Sequence, residues 1–187
     1  SPLVEVAAPG GRIAYGPVLP EDVPALLDAG LLGGSPHALC LGPTEQIPYL
    51  AKQERLTFAR MGVTDPLSLE DYEAHEGWAG LRRALQLDGS AIVQQVLDSG
   101  LRGRGGAAFP AGIKWRTVLQ AQAAQKYVVC NADEGDSGTF SDRMTMEGDP
   151  YMLIEGMVIA GLAVGATQGF VYIRAEYPHA IGAMNEA

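Results

Sequence analysis

Two stretches of this chain carry residue types that could do chemistry. The first runs Gly100-Leu-Arg-Gly-Arg-Gly-Gly-Ala-Ala-Phe-Pro-Ala-Gly-Ile-Lys-Trp115. Its glycines at 100, 103, 105, 106 and 112 remove side chains from the path of a ligand and permit backbone angles that other residues avoid. Arg102, Arg104 and Lys114 add cationic donors beside that bare backbone. Open N–H groups with fixed positive charge suit a phosphate or pyrophosphate, so this reads as a nucleotide-cofactor loop. A flexible Gly-rich surface loop is the other reading of the glycines. The second stretch, Asn131-Ala-Asp-Glu-Gly-Asp-Ser-Gly138, is polar and acidic and follows a strand-like run. Ligands of open α/β sheets bind beyond the carboxyl ends of strands. Asn131, Asp133, Glu134 and Asp136 suit ribityl or ribose hydroxyls and the imide edge of a flavin. Phe109 either offers a flat face to an adenine or nicotinamide ring or plugs the loop onto the sheet.

Standard motifs do not account for these loops. The glycines lack the G-x-G-x-x-G spacing between a strand and a helix, and Lys114 has neither the preceding glycine nor the following Ser or Thr of a P-loop. His37, His75 and His179 are scattered outside both loops and read as surface or packing residues, which leaves a Ser/His/Asp or Cys/His hydrolase unsupported. Cys40 and Cys130 are far apart, so neither a disulfide framework nor a self-contained zinc or iron–sulfur site is indicated. Cys40 reads as incidental to function, Trp115 as a core anchor, and Asp142 with Arg143 as a local surface pair.

The 187 residues carry a net charge of -9 and a pI of about 4.7. Such a chain repels nucleic acid and anionic membrane, and makes the basic residues near 102–116 a local positive island. Residues 1–20 have no secretory pattern, and the apolar run Tyr151 to Ala166 is interrupted by Glu155 and three glycines and is short for a membrane span. The expectation is a cytoplasmic protein without membrane insertion. Both termini read as cuts in a longer polypeptide.

The elements that must position the two loops follow from patterning. Residues 3–6 and 12–15 alternate as strands around Ala8-Pro9-Gly10-Gly11, and Pro20-Glu-Asp-Val-Pro24 begins a helix reaching Gly30 or Gly33. Gly33 to Pro43 reads as a turn-rich linker and Pro48 to Arg60 as a helix. Ser68 with Asp71 forms a box-like helix start, and Ser90 to Leu97 is an amphipathic helix that delivers the chain into the Gly-rich loop. Thr117 to Ala124 is expected as a helix, Lys126 to Asn131 as a buried strand, 151–166 as a helix, Gly169 to Arg174 as a strand, and a last helix starts near Pro178. The alternation predicts a layered α/β domain.

Gly103-Arg-Gly-Gly-Ala-Ala-Phe-Pro-Ala-Gly-Ile-Lys-Trp115 and Val129-Cys-Asn-Ala-Asp-Glu-Gly-Asp-Ser-Gly-Thr-Phe-Ser-Asp-Arg143 together resemble the flavoprotein subunit of NADH-quinone oxidoreductase and its soluble relatives. The likeness continues through Glu155-Gly156 and Arg174-Ala-Glu-Tyr177. The earlier Gly16-Pro-Val18, Pro20-Glu-Asp-Val-Pro24 and Gln53-Glu-Arg-Leu-Thr-Phe58 resemble most the beta subunits of soluble NAD-dependent formate dehydrogenases. The resemblance implies a layered Rossmann-like FMN-binding domain over 68–187, a linker and helix over 35–67, and the closing ββα part of a thioredoxin-like domain over 1–34. It implies that Gly103, Arg104, Gly105, Gly106, Lys114, Asn131, Asp133 and Glu134 bind FMN, that Phe109 stacks on NADH, and that Asp136 lies near the nicotinamide nucleotide. This chain has Asp136 where the family usually has Glu, and Thr117 and Val118 where a second aromatic is expected. The family's Gly-Glu-Glu-Thr loop, its ubiquitin-like domain and the cysteines of its [4Fe-4S] cluster are not in these residues. The activity implied is hydride transfer between NAD and FMN, with single electrons exchanged with iron–sulfur clusters. The implied partners are an alpha subunit with a molybdenum or tungsten cofactor that oxidises formate, and a small thioredoxin-like [2Fe-2S] subunit. The alternatives are the same module in an NAD-reducing hydrogenase or respiratory complex, and a non-catalytic interaction module.

Overall fold

Alternating small and apolar residues on either side of Pro9-Gly10 build the first hairpin. In the computed structural model, which describes residues 2–136 and 138–187, strand β1 (Val4–Ala8) pairs antiparallel with β2 (Gly11–Tyr15), from Val4↔Tyr15 to Ala8↔Gly11. Gly10 and Gly11 take φ of +100° and +132°, which a side chain would oppose. A 3-10 turn at Pro20–Asp22 leads into helix α1 (Val23–Asp28). The segment expected as a linker contains a third strand, β3 (Cys40–Pro43), antiparallel to β2. Cys-Leu-Gly-Pro has no clean alternation, and the strand is defined by the partner it meets rather than by its own pattern. The helix expected over 48–60 is a single turn, α2 (Pro48–Ala51). Tyr49 and Leu56 are 76% and 83% exposed, so no apolar face is buried to sustain a longer helix. Tyr15, Val18, Leu26 and Leu31 form the core of this unit, Ser1–Leu56.

The second unit, Thr57–Ala187, carries both candidate loops. Its first helices are α3 (Leu69–Ala74), capped by Ser68 Oγ accepting from Asp71 N at 3.1 Å, and α4 (Ala79–Ala84). Helix α5 (Gly89–Asp98) is capped by Asp88 accepting from Ala91 N at 2.8 Å. Helix α6 spans Ala111–Gln120, starting six residues before the expected Thr117. Pro110 has a φ of -60° that suits a helix start, and Ala121 is extended and stops it. Strand β4 (Tyr127–Ala132) is followed by α7 (Ser141–Gly148), α8 (Pro150–Val164), β5 (Gln168–Ile173) and α9 (Pro178–Glu186).

Strands β4 and β5 pair in parallel, from Tyr127↔Gln168 to Ala132↔Ile173. Helix α8 contacts α4, α5, α6 and α7 as well as both strands, so it is the hub of the unit. One core cluster joins Ala84, Ile92 and Val93 to Ala163 and Val164, with Trp115 packed against it as expected. Another joins Ala132 and Met146 to Tyr177 and Ala180. The side chains that point away from this helical layer, Tyr127, Val129, Phe170 and Tyr172, are all more than half exposed.

Within α8, the buried Glu155 carboxylate accepts from the Tyr72 hydroxyl, from Trp78 N at 2.9 Å and from Leu81 N at 2.8 Å. Burial and this carboxylate push the Tyr72 phenol up. Asp149, just before α8, takes Arg60 Nε at 2.9 Å, and the same guanidinium lies 4.7 Å over the Tyr72 ring.

Helices α5 and α6 approach closely at Gly112, where a Cβ would lie 2.7 Å from Leu97 N and 2.8 Å from Leu97 Cα. Both contacts are backbone, so relief requires the helices to separate. Gly112→Ala is therefore expected to destabilise the protein by about 1–3 kcal/mol, read as a lower denaturation midpoint. A midpoint equal to that of the parent would contradict the close approach.

Candidate functional site

The Gly-rich loop is a hairpin closed at its base. Gly100, at φ +67°, turns the chain out of α5. Gly103 N then donates to Phe109 O at 2.8 Å, and Ala111 N to Leu101 O at 2.9 Å. Arg102 donates from Nη1 to Ala108 O at 3.0 Å, so this cation braces the loop instead of facing outward as an unused charge. Gly103 likewise commits its amide to the hairpin. At the tip the situation differs. Ideal Cβ positions on Gly105 and Gly106 meet no atom within 4 Å, and among the described residues no protein acceptor meets their amides. Arg104, also at the tip, makes no hydrogen bond or ion pair among the described residues. The tip therefore presents open backbone donors and a cation.

Because α6 starts early, Lys114 lies in its first turn rather than in a loop. Its Nζ is 5.7 Å from the centroid of the Phe109 ring. Phe109 is 46% exposed, so part of its ring is open to solvent beside Lys114. The loop also holds Ala108 at φ +49°, in the left-handed region that costs a side-chain-bearing residue about 1–2 kcal/mol.

The acidic loop starts where β4 ends. Asn131 Oδ1 accepts from Asp133 N at 3.2 Å, a short turn that redirects the chain. Glu134 is left-handed, at φ +48°. Its Oε1 accepts from Asp142 N and its Oε2 from Arg143 N, both at 2.9 Å, so Glu134 caps α7 from seven residues upstream of Ser141. Its carbonyl accepts from Arg174 Nη1 at 3.2 Å. Asp136 Oδ1 accepts from Gly138 N at 3.3 Å, and Asp136 is exposed. Ser137, within the expected loop, lies outside the described residues.

Asp142 and Arg143 do not pair with each other as the sequence suggested. Arg143 approaches Glu147 at 3.8 Å and lies over the rings of Phe140 and Tyr177, at 5.0 and 5.7 Å. Burial, and then the neighbouring Glu134 charge, push the Asp142 carboxyl above its usual range. Burial, and then Asp142, push the Cys130 thiol up, so this cysteine is not an activated nucleophile.

The candidate residues thus form two groups. Gly105, Gly106, Arg104, Phe109 and Lys114 share one end of the α5–α6 pair, while Asn131, Asp133, Glu134 and Asp136 share the end of β4. Among the described residues no hydrogen bond or ion pair links the two groups, and α8 packs against both α6 and β4. Arg174, which reaches the Glu134 carbonyl of the second group, was not among the expected residues. Parallel register was the available signal, since Ala132↔Ile173 sets the residues after the two strands side by side.

Residues 96–187 match the family model described as the Nuo51 FMN-binding domain. Over 136 residues the chain is 52% identical to the NADP-reducing hydrogenase subunit HndC of Solidesulfovibrio fructosivorans, covering 73% of this chain and 28% of that protein. It is 47% identical over 135 residues to a subunit of the NADH-quinone oxidoreductase of Rhizobium meliloti, covering 72% and 32%. Among solved structures, an NAD+-reducing [NiFe]-hydrogenase in the H2-reduced state superposes with a TM-score of 0.56 at 28% identity, over 92% of this chain and 28% of that one. The chain spans less than a third of the length of these relatives. No helix among the described residues is long and apolar enough to cross a membrane.

The raised Asp142 carboxyl has a consequence for stability. The fold disfavours its ionised form, so the penalty is present above the raised folded pKa and absent below the unfolded value of 3.8. Asp142→Asn should raise the Tm at pH 7, the gain shrinking as pH falls through the folded pKa and vanishing below 3.8. Parallel melting series across that range check the sign.

Proposed function

Because this chain belongs, through residues 96–187, to the Nuo51 FMN-binding domain family, we propose that it holds FMN for electron exchange with NAD(H) in a multi-subunit oxidoreductase. The observation that carries the reading is the loop tip, where the Gly105 and Gly106 amides have no protein acceptor among the described residues, beside the Arg104 cation. Those donors fit a phosphate, and Lys114 adds a second charge from the first turn of α6. Asn131 and Asp133 at the end of β4 are assigned to the hydroxyls of the ribityl chain. Phe109 offers the exposed ring on which a nicotinamide nucleotide stacks, and Asp136 lies toward that nucleotide. Gly103 and Glu134 shape the two loops through the bonds already described.

Bound flavin supplies the exchange of a hydride with the nicotinamide against single electrons passed onward. The chain's own residues bind and orient, and none of them needs to accept or release a proton. We assign the onward electrons to iron–sulfur clusters, a [4Fe-4S] centre carried by further residues of the polypeptide and a [2Fe-2S] centre on a small thioredoxin-like subunit. For the whole complex we take formate as the substrate, oxidised at a molybdenum or tungsten cofactor in an alpha subunit. That choice rests on Gly16-Pro-Val18, Pro20-Glu-Asp-Val-Pro24 and Gln53-Glu-Arg-Leu-Thr-Phe58. The 52% identity to a subunit of a hydrogenase favours dihydrogen as the second reading. We also take the complex to be cytoplasmic.

Purification of the native complex tests both levels. A flavin spectrum and NADH-dependent dye reduction are expected, and the large subunit that co-purifies separates formate from dihydrogen. Absence of flavin and of dye reduction overturns the reading in favour of an interaction module. In the flavin-stripped complex, Lys114→Ala should weaken FMN binding about tenfold or more in a fluorescence titration, the scale of one charge-assisted hydrogen bond. An unchanged Kd would remove Lys114 from phosphate binding.

A further inference from the structure

Resting on the FMN reading, we propose that Arg174 is a positioning residue that fixes the β4-end loop for flavin binding by clamping the Glu134 carbonyl. The geometry uses the whole guanidinium. Nε and Nη2 meet the two oxygens of Glu176, at 3.2 and 3.1 Å, while Nη1 on the opposite side reaches Glu134 O at 3.2 Å. The Tyr177 ring lies 5.4 Å from the same guanidinium. Glu176 therefore holds the fork side-on, and the remaining edge is aimed at one backbone atom of the neighbouring strand's loop.

That atom belongs to a residue under backbone strain. Glu134 is left-handed, and it is pinned at three points: each side-chain oxygen by an α7 amide and the carbonyl by Arg174. A strained conformation persists when its surroundings over-determine it. Two of the three pins come from α7, which follows the loop in sequence. Arg174 alone reaches it from β5, so it ties the loop to the sheet. Loss of that tie frees Asp133 and Glu134 relative to Asn131, whose position the sheet ladder sets. A lysine keeps the charge but cannot serve Glu176 on one edge and the carbonyl on the other.

The test compares the native complex with its R174Q, R174K and E176Q variants, using two readouts on flavin-stripped protein. The first is amide exchange at Asp142 and Arg143, whose N–H groups donate to the Glu134 carboxylate, and the second is the Kd for added FMN. R174Q is expected to speed exchange at those amides and to raise the Kd about tenfold, with R174K recovering only part of both. E176Q, which releases the fork without removing it, should shift both in the same direction by less, and it decides the outcome if R174Q fails to fold. Native exchange and native Kd in the variants overturn the proposal, as does full rescue by R174K. If the parent complex itself takes up no FMN, the proposed function falls and the flavin role of Arg174 with it. Exchange at Asp142 and Arg143 still shows whether the clamp exists, so the two failures are distinguishable.

Discussion

A carboxylate buried in the middle of an otherwise apolar helix is the constraint on which the second unit is built. Glu155 is desolvated by α8, and leaving such a group unpaired would cost several kcal/mol. Tyr72, Trp78 N and Leu81 N supply its partners, and in doing so they fix where α3 ends and where α4 begins. Trp78 takes a left-handed φ of +61° at that junction. With α4 anchored on one part of α8 and α5 and α6 packed on another, the base of the Gly-rich hairpin is set by the same helix that underlies β4.

The two loops solve different electrostatic problems. At the Gly-rich tip, donors and a cation have no protein partner among the described residues, which in water costs little. At the end of β4 the acids are spent largely on the chain itself. Glu134 caps α7, Asn131 turns the backbone, and Asp142 is penalised by its burial and then by the neighbouring Glu134 charge. Arg143, drawn to Glu147 and to two aromatic rings, does not relieve that penalty. The acidic loop is thus a shaped scaffold whose free valences are fewer than its composition suggests.

Much of this was legible in the chain. The alternation in β1 and β2, the Ser68 cap, and the long apolar α8 follow from local pattern, and their structural counterparts lie close to the expected bounds. Three elements were not legible for identifiable reasons. β3 exists because β2 offers an edge, a fact about tertiary pairing that Cys-Leu-Gly-Pro does not encode. The segment after Ala51 has helix-forming residues but no buried face. The start of α6 was displaced because Gly112 was counted with the glycines of the ligand loop, whereas its missing side chain is what lets α5 come close. At the site, residue types pointed to two loops, but not to which amides and carboxylates would already be occupied. Only the hydrogen-bond partners of Gly103, Arg102 and Glu134 show that.

The parallel pair β4–β5 has helices on one side, while Tyr127 and Phe170, 5.9 Å apart, stand with Val129 and Tyr172 on the other. Parallel sheets are ordinarily sheathed on both sides. A bare aromatic–aliphatic stripe of this kind makes colloidal behaviour a separate matter from folding. These residues can keep their secondary structure in dilute solution and still self-associate as concentration rises.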